Sequence, residues 1–207
     1  MLLESSRHFG GPSRHRSWRT IDSGKDGLTR LVINGHPDPR PERFCAALCA
    51  AFLDGARTNG RQANALALGA FANGHEGNAG QMSPETMRAI DLVRRSAHLT
   101  VVFPLWLDLP PPLLTGFFEQ VVRHDAQDRR RGPERRFAHI VVTMAMPAFA
   151  YRSVLRARTG PCRSPNLLSL PGIEGGDLDL IGSVDTISRA QREGWLMALR
   201  GLGAHAP

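Results

Sequence analysis

The sequence is informative first through what it lacks. No apolar run approaches the roughly 18 residues that a bilayer-spanning helix needs. The opening twenty residues, MLLESSRHFGGPSRHRSWRT, hold no apolar core, which argues against a secretory signal. Cysteine is scarce: Cys45, Cys49 and Cys162 are an odd set without CxxC spacing. Cys45 and Cys49 would share one helix face, which fits packing better than metal binding and points to a reducing, cytoplasmic setting. The histidines are scattered, and none forms a convincing i,i+4 pair on a helix, so no metal is expected. There is no GxGxxG or Walker A run, so neither a Rossmann nor a P-loop nucleotide site is indicated. There is no GxSxG elbow, so a hydrolase has no positive support.

What is present fits one α/β domain with extensions: 207 residues, 42% of them apolar. The net charge is +7, and the excess arginine is concentrated in two places. One is an N-terminal arm with Arg7, Arg14, Arg16 and Arg19; the other is Arg123 to Arg136, with Arg129, Arg130 and Arg131 consecutive. Such patches suit nucleic acid. They come without a helix-turn-helix, zinc or RRM signature, so solvated arginine is the preferred reading and no nucleic-acid partner is expected.

Residues 1–27 are polar and basic and read as a disordered arm, with the folded domain at 28–207. Leu28 to Gly35 (LTRLVING) is a first strand. HPDPRP, His36 to Pro41, is a proline-rich loop. From Glu42 the apolar residues Phe44, Cys45, Leu48, Phe52 and Leu53 recur at helical steps, and Gly55 and Gly60 end the helix. Ala63 to Leu68 is a weak second strand, followed by a Gly/Asn-rich loop at 71–81. Ser83 caps a helix with Pro84 at its first position, running to Arg95. Leu99 to Leu107 is a third strand. Pro110, Pro111 and Pro112 stop its ladder but can open a helix, here to Arg123. His124 to Arg136 reads as a charged connection, His139 to Met144 as strand four, and Asp177 to Val184 as strand five. Ser153 to Ser169 contains at most a short helix. Ser188 to Leu202 closes the chain as an amphipathic helix with Trp195, Leu196 and Leu199 inward. Strands alternating with helices predict an α/β three-layer fold: a five-stranded parallel sheet in flavodoxin-like order, with helices on both faces.

In such a sheet, ligands bind outside the carboxyl ends of the strands. Three loops should gather there. The first, Gly35 to Phe44, leads into a helix N-terminus that favours phosphate, with His36, Arg40 and Arg43 as further donors; an ordinary helix start with surface arginines fits it equally well. In the second, Pro104 to Pro111, Trp106 and Leu107 could face a planar ring, or Trp106 could be core. The third, Thr143 to Tyr151, offers a hydroxyl, the flexible Met144 and Met146, and the Tyr151 phenol. That phenol could serve a substrate oxygen or be buried with its hydroxyl satisfied.

Taken together, NGHPDPRPERFCAAL (Asn34 to Leu48), HLTVVFPLWLDLPPPLLTGFFEQV (His98 to Val121), VVTMAMPAFAYR (Val141 to Arg152) and LIGSV (Leu180 to Val184) resemble the flavodoxin-like NAD(P)H:quinone oxidoreductases. This is the family of DT-diaphorase and the smaller bacterial quinone reductases. The resemblance runs from about Leu28 to His205. It implies a bound FMN or FAD across the strand ends and NAD(P)H as co-substrate. By resemblance His36, Arg40, Arg43 and Phe44 would take the flavin phosphates. Pro104, Leu105, Trp106 and Leu107 would contact the ring and ribityl chain, and Thr143, Met144, Ala145 and Met146 would hold the ring's polar edge. Tyr151 would be the catalytic residue beside the substrate. It further implies ping-pong hydride transfer to a quinone or similar electrophile, and a homodimer with the site at its interface. Arg40 to Arg43 stand where the family usually has a hydroxyl residue, and Ala145 stands where it usually has glycine. These departures suit an alternative: a flavodoxin-like regulatory or binding subunit, such as a transporter ancillary protein, with weak or lost catalysis.

Overall fold

A computed structural model describes residues 29–70, 83–106, 109–127, 136–151 and 173–205. Five strands form one parallel sheet: β1 (Thr29–Asn34), β2 (Ala63–Ala67), β3 (Ser96–Leu105), β4 (Arg136–Met144) and β5 (Ile173–Ile181). Their order is β2-β1-β3-β4-β5, the flavodoxin-like order expected from the sequence. Among the described residues the full helices are α1 (Phe44–Thr58), α2 (Pro84–Arg95), α3 (Pro112–Gln127) and α4 (Arg189–His205). A single 3-10 turn, Leu68–Ala70, follows β2.

Side chains alternate along each strand, so each strand feeds two cores. Val32, Val102, Val141 and Ile181 meet Cys45, Leu48 and Phe52 of α1 and Trp195, Leu199 and Leu202 of α4. Leu31, Ile33, Val101, Phe103, Ile140 and Val142 meet Ile90 and Val93 of α2 and Leu114, Phe118 and Val121 of α3. The result is the expected three-layer arrangement. Trp195 and Leu199 face inward as anticipated, while Leu196 is only partly buried. Burial pushes the Cys45 thiol up to about 11 and raises that of Cys49 as well, so both pack as neutral groups.

The two helices on the first face touch backbone to backbone. A Cβ at Gly55 would lie 1.8 Å from the Arg200 carbonyl oxygen, and one at Gly203 would lie 1.9 Å from that of Phe52. Only glycine permits this approach.

Local signals set most boundaries. Ser83 caps α2, accepting from the Thr86 N–H at 3.1 Å, with Pro84 in the first turn. Pro111 receives the Leu114 and Thr115 N–H groups at 2.9 and 3.2 Å, which starts α3. Several boundaries differ from expectation, among them the end of β3, at Leu105 instead of Leu107, and the start of β5, at Ile173 instead of Asp177. The predicted connection at His124 begins as helix, because α3 continues to Gln127 and brings Asp125 to Arg94 Nε at 2.9 Å. β3 and β4 begin earlier, at Ser96 and Arg136, because polar residues there are buried and bonded. Ser96 Oγ donates to the Leu92 carbonyl at 2.7 Å, and Arg136 Nη2 donates to that of Arg94 at 2.6 Å. β5 stops at Ile181 rather than Val184, because Ser183 takes a left-handed φ of 55°. The expected arm at 1–27, the loop at 71–81, Leu107, Asp108, Arg129 to Arg131, and Ser153 to Ser169 with Cys162 lie outside the described residues.

Candidate functional site

The chain leaves β1 for α1 on one face and reaches β3 through α2 on the other. The loops after β1 and β3 therefore leave toward opposite faces at the sheet's carboxyl edge, where folds of this kind form their ligand crevice. β3 pairs with β1 only as far as Val102, opposite Asn34, and then runs on to Leu105 beside Met144. Trp106 follows at the lip. Its N–H donates to the Leu109 carbonyl at 3.1 Å and its carbonyl accepts from the Leu109 N–H at 2.9 Å, which makes a tight turn. Trp106 is 50% exposed, not core, and its ring meets the His36 ring edge-on at 5.8 Å. The first two predicted loops thus come together.

The first loop is stiff. The buried Asn34 side chain accepts the His36 N–H at 3.0 Å, and His36 Nδ1 accepts the Asp38 N–H at 2.9 Å. A neutral His36 must then carry its proton on Nε2. Burial and the Arg43 charge lower the His36 pKa, which favours that neutral form. Gly69 underlies the loop: a Cβ there would strike the Pro37 and His36 carbonyl oxygens at 2.4 and 2.7 Å. Arg40 and Arg43 both turn onto Asp38, with Nε–O distances of 3.0 and 2.7 Å. The bonds from Arg40, then those from Arg43, hold the Asp38 carboxyl well below the usual carboxylate range. Arg43 precedes α1 without a side-chain cap, and the first turn holds no acidic residue. The N-terminal N–H groups of α1 therefore keep their partial positive charge at this edge.

The third loop runs back beneath the edge. Thr143 is buried, its hydroxyl 3.5 Å from Cys45 Sγ. Pro104, Leu105 and Met144 are buried, with the last two packed in the α2/α3 core, so only their backbone can face the crevice. Ala145 and Met146 are exposed, and Ala145 does not adopt the left-handed φ that glycine would permit. Tyr151 lies on a helical turn that begins at Ala148 and is only 4% exposed, within the α2/α3 core. With Trp106 and Met146, Leu109 and Phe149 leave an apolar edge open; Phe149 is 75% exposed.

Two features were missed in the sequence. Asp38 gathers the arginines; an aspartate between two prolines signals a turn, but its partners are invisible without geometry. The other is the turn after β5. The Ser183 and Val184 N–H groups donate to the Met146 and Met144 carbonyls, each at 3.1 Å. A Cβ on Gly182 would lie 2.2 Å from the Ala148 nitrogen. Arg192 Nη2 donates to the Val184 carbonyl at 2.7 Å, and its guanidinium lies 4.8 Å from the Phe44 ring centre. Arg192 thereby ties the turn after β5 to the start of α1.

The Flavodoxin_2 family, described as having the flavodoxin-like fold, matches residues 29–159, well over half of the chain. Among solved structures, the NAD(P)H:quinone oxidoreductase of Methanothermobacter marburgensis is 18% identical with a TM-score of 0.63, over 86% of this chain and 96% of that one. The FMN-dependent NADH-azoreductase of Bacillus anthracis, solved with FMN, is 12% identical with a TM-score of 0.56, over 86% and 98%. The NADPH-quinone reductase of P. pentosaceus is 13% identical with a TM-score of 0.54, over 87% and 99%. No curated protein sequence matches the chain.

Proposed function

The chain belongs to the flavodoxin-like fold family, and from that premise we propose that it is a flavin-dependent NAD(P)H oxidoreductase reducing quinones or similar electrophiles. In this reading residues 28–207 form the flavin-binding domain, with FMN or FAD as cofactor. The observation that carries the reading is the meeting of the first two loops at the sheet's carboxyl edge. An uncapped helix N-terminus with His36, Arg40 and Arg43 beside it stands next to a half-exposed indole. One end suits a phosphate and the other a planar ring. The solved relatives named for quinone and azo reduction have the same fold.

The bound flavin supplies the capacity to accept and return a hydride. The chain's residues position it and shape its surroundings. His36 Nε2–H, the arginines and the first N–H groups of α1 hold phosphate. Trp106 would flank the ring, with Pro104 and Leu105 contributing backbone. Backbone groups of Thr143 to Met146 meet the ring's polar edge. Tyr151, packed in the α2/α3 core behind that loop, would steady charge on the acceptor oxygen across the loop. The exposed edge beside Trp106 would admit the two substrates in turn, so that NAD(P)⁺ would leave before quinone enters, a ping-pong order. Overall, a hydride from the nicotinamide and a proton from solvent convert quinone to hydroquinone. The open apolar edge at Trp106, Leu109, Met146 and Phe149 supports a homodimer closing over the site.

The test is the visible spectrum of the purified protein with FMN or FAD. The expected result is a bound flavin that NAD(P)H bleaches and quinone recolours. A folded protein that takes up neither flavin refutes the proposal.

A further inference from the structure

The first loop holds a carboxylate where a phosphate site would be expected to want none. Asp38 accepts from Arg40 Nε at 3.0 Å and Nη2 at 2.7 Å, and from Arg43 Nε at 2.7 Å. Its own N–H donates to His36 Nδ1. Both arginines approach side-on, so each keeps Nη1 without a partner among the described residues. Both are otherwise exposed side chains that would sample many rotamers.

We infer that Asp38 is a positioning residue for a phosphorylated ligand, its carboxylate aiming Arg40 and Arg43 at the phosphate while its N–H keeps His36 an Nε2–H donor. The inference rests on the flavin reading of this edge. Two opposing effects decide the sign. Asp38 carries negative charge near an anion and repels it, but in exposed, screened surroundings that repulsion is weak. Against it, ordering one rotamer-rich side chain on binding is worth roughly two- to tenfold in affinity, and two are ordered in advance here. Pre-ordering wins, so Asp38 raises affinity for the phosphorylated ligand. An exposed ion pair adds little to stability, which leaves fold and ligand affinity separable.

The full chain, freed of flavin, is titrated with FMN and with riboflavin by fluorescence quenching. For Asp38→Asn the expected FMN dissociation constant is about tenfold higher, with riboflavin unchanged within about twofold and the melting temperature preserved. Asp38→Glu, which keeps the charge, recovers part of the FMN affinity. Equal weakening for both ligands would mean a structural role and overturn the inference. Unchanged or tighter FMN binding would mean that Asp38 competes with phosphate, and would overturn it as well. A wild-type protein that binds neither flavin refutes the flavin reading too, whereas flavin binding with an unmoved FMN-to-riboflavin ratio refutes only the role of Asp38.

Discussion

Acid should unfold this protein through His98. Its ring is 1% exposed on the α1/α4 face of β3, stacked on Phe52 with centroids 6.1 Å apart and planes 9° apart. Among the described residues its Nδ1 has no hydrogen-bond partner. Burial, then the neighbouring His139, then Arg30, push its pKa down to about 3, from an unfolded value near 6.5. The folded state therefore binds fewer protons than the unfolded state between these values. The stability that neutral His98 allows is complete above about pH 6.5 and is lost as pH falls, until the folded state also takes up the proton near pH 3. Between pH 7.5 and pH 5 linkage gives a loss of about 2 kcal/mol from this residue, or roughly 4–8 °C in melting temperature for a chain of this size. His98→Leu preserves volume and removes both the titration and the unpaired nitrogen. Circular dichroism melts at the two pH values should show the variant losing about 2 kcal/mol less than the wild type. Parallel losses in the two proteins would show that His98 does not set the acid limit.

Gly203→Ala should destabilise by at least about 3 kcal/mol, because its Cβ would overlap the Phe52 carbonyl; a melt within a degree of wild type would contradict that contact. Arg192→Ala strips the Val184 carbonyl of its donor and uncovers Phe44, costing about 1–2 kcal/mol. Arg192→Lys should not restore it fully, since lysine cannot stack a planar group, and chemical denaturation of the three proteins reads the order. Tyr151→Phe should slow quinone reduction by roughly 10- to 100-fold while flavin stays bound. Unchanged turnover in stopped-flow would remove Tyr151 from the chemistry.

Where local chemistry decides, the sequence was legible. Ser83-Pro84 started α2 at the residue expected, and the proline run started α3 at Pro112 as expected. The parallel order followed from the alternation of strands and helices. Boundaries failed where polar residues are buried: Ser96, His98 and Arg136 look like surface, yet their strands lie under helices. Within the site, the first loop was recognisable because a helix start with flanking arginines has a local signature. Asp38's bonds to Arg40 and Arg43 depend on how the loop folds, and Arg192's reach to Phe44 joins the chain's two ends. No periodicity or spacing encodes either.

The touching backbones of α1 and α4 have a consequence for how this protein can vary. A tight contact between two side chains can be preserved when one grows and the other shrinks. At Gly55 and Gly203 the opposing atoms are main-chain oxygens, which no substitution can trim. Neither position has a compensating partner, so both should tolerate nothing larger, although neither lies at the sheet edge where chemistry is proposed. α1 also carries the loop proposed to hold phosphate at its other end, so the contact of this helix pair bears on where that loop stands. A screen of all substitutions would mark these two glycines as if they touched ligand, when what they set is the approach of two helix backbones.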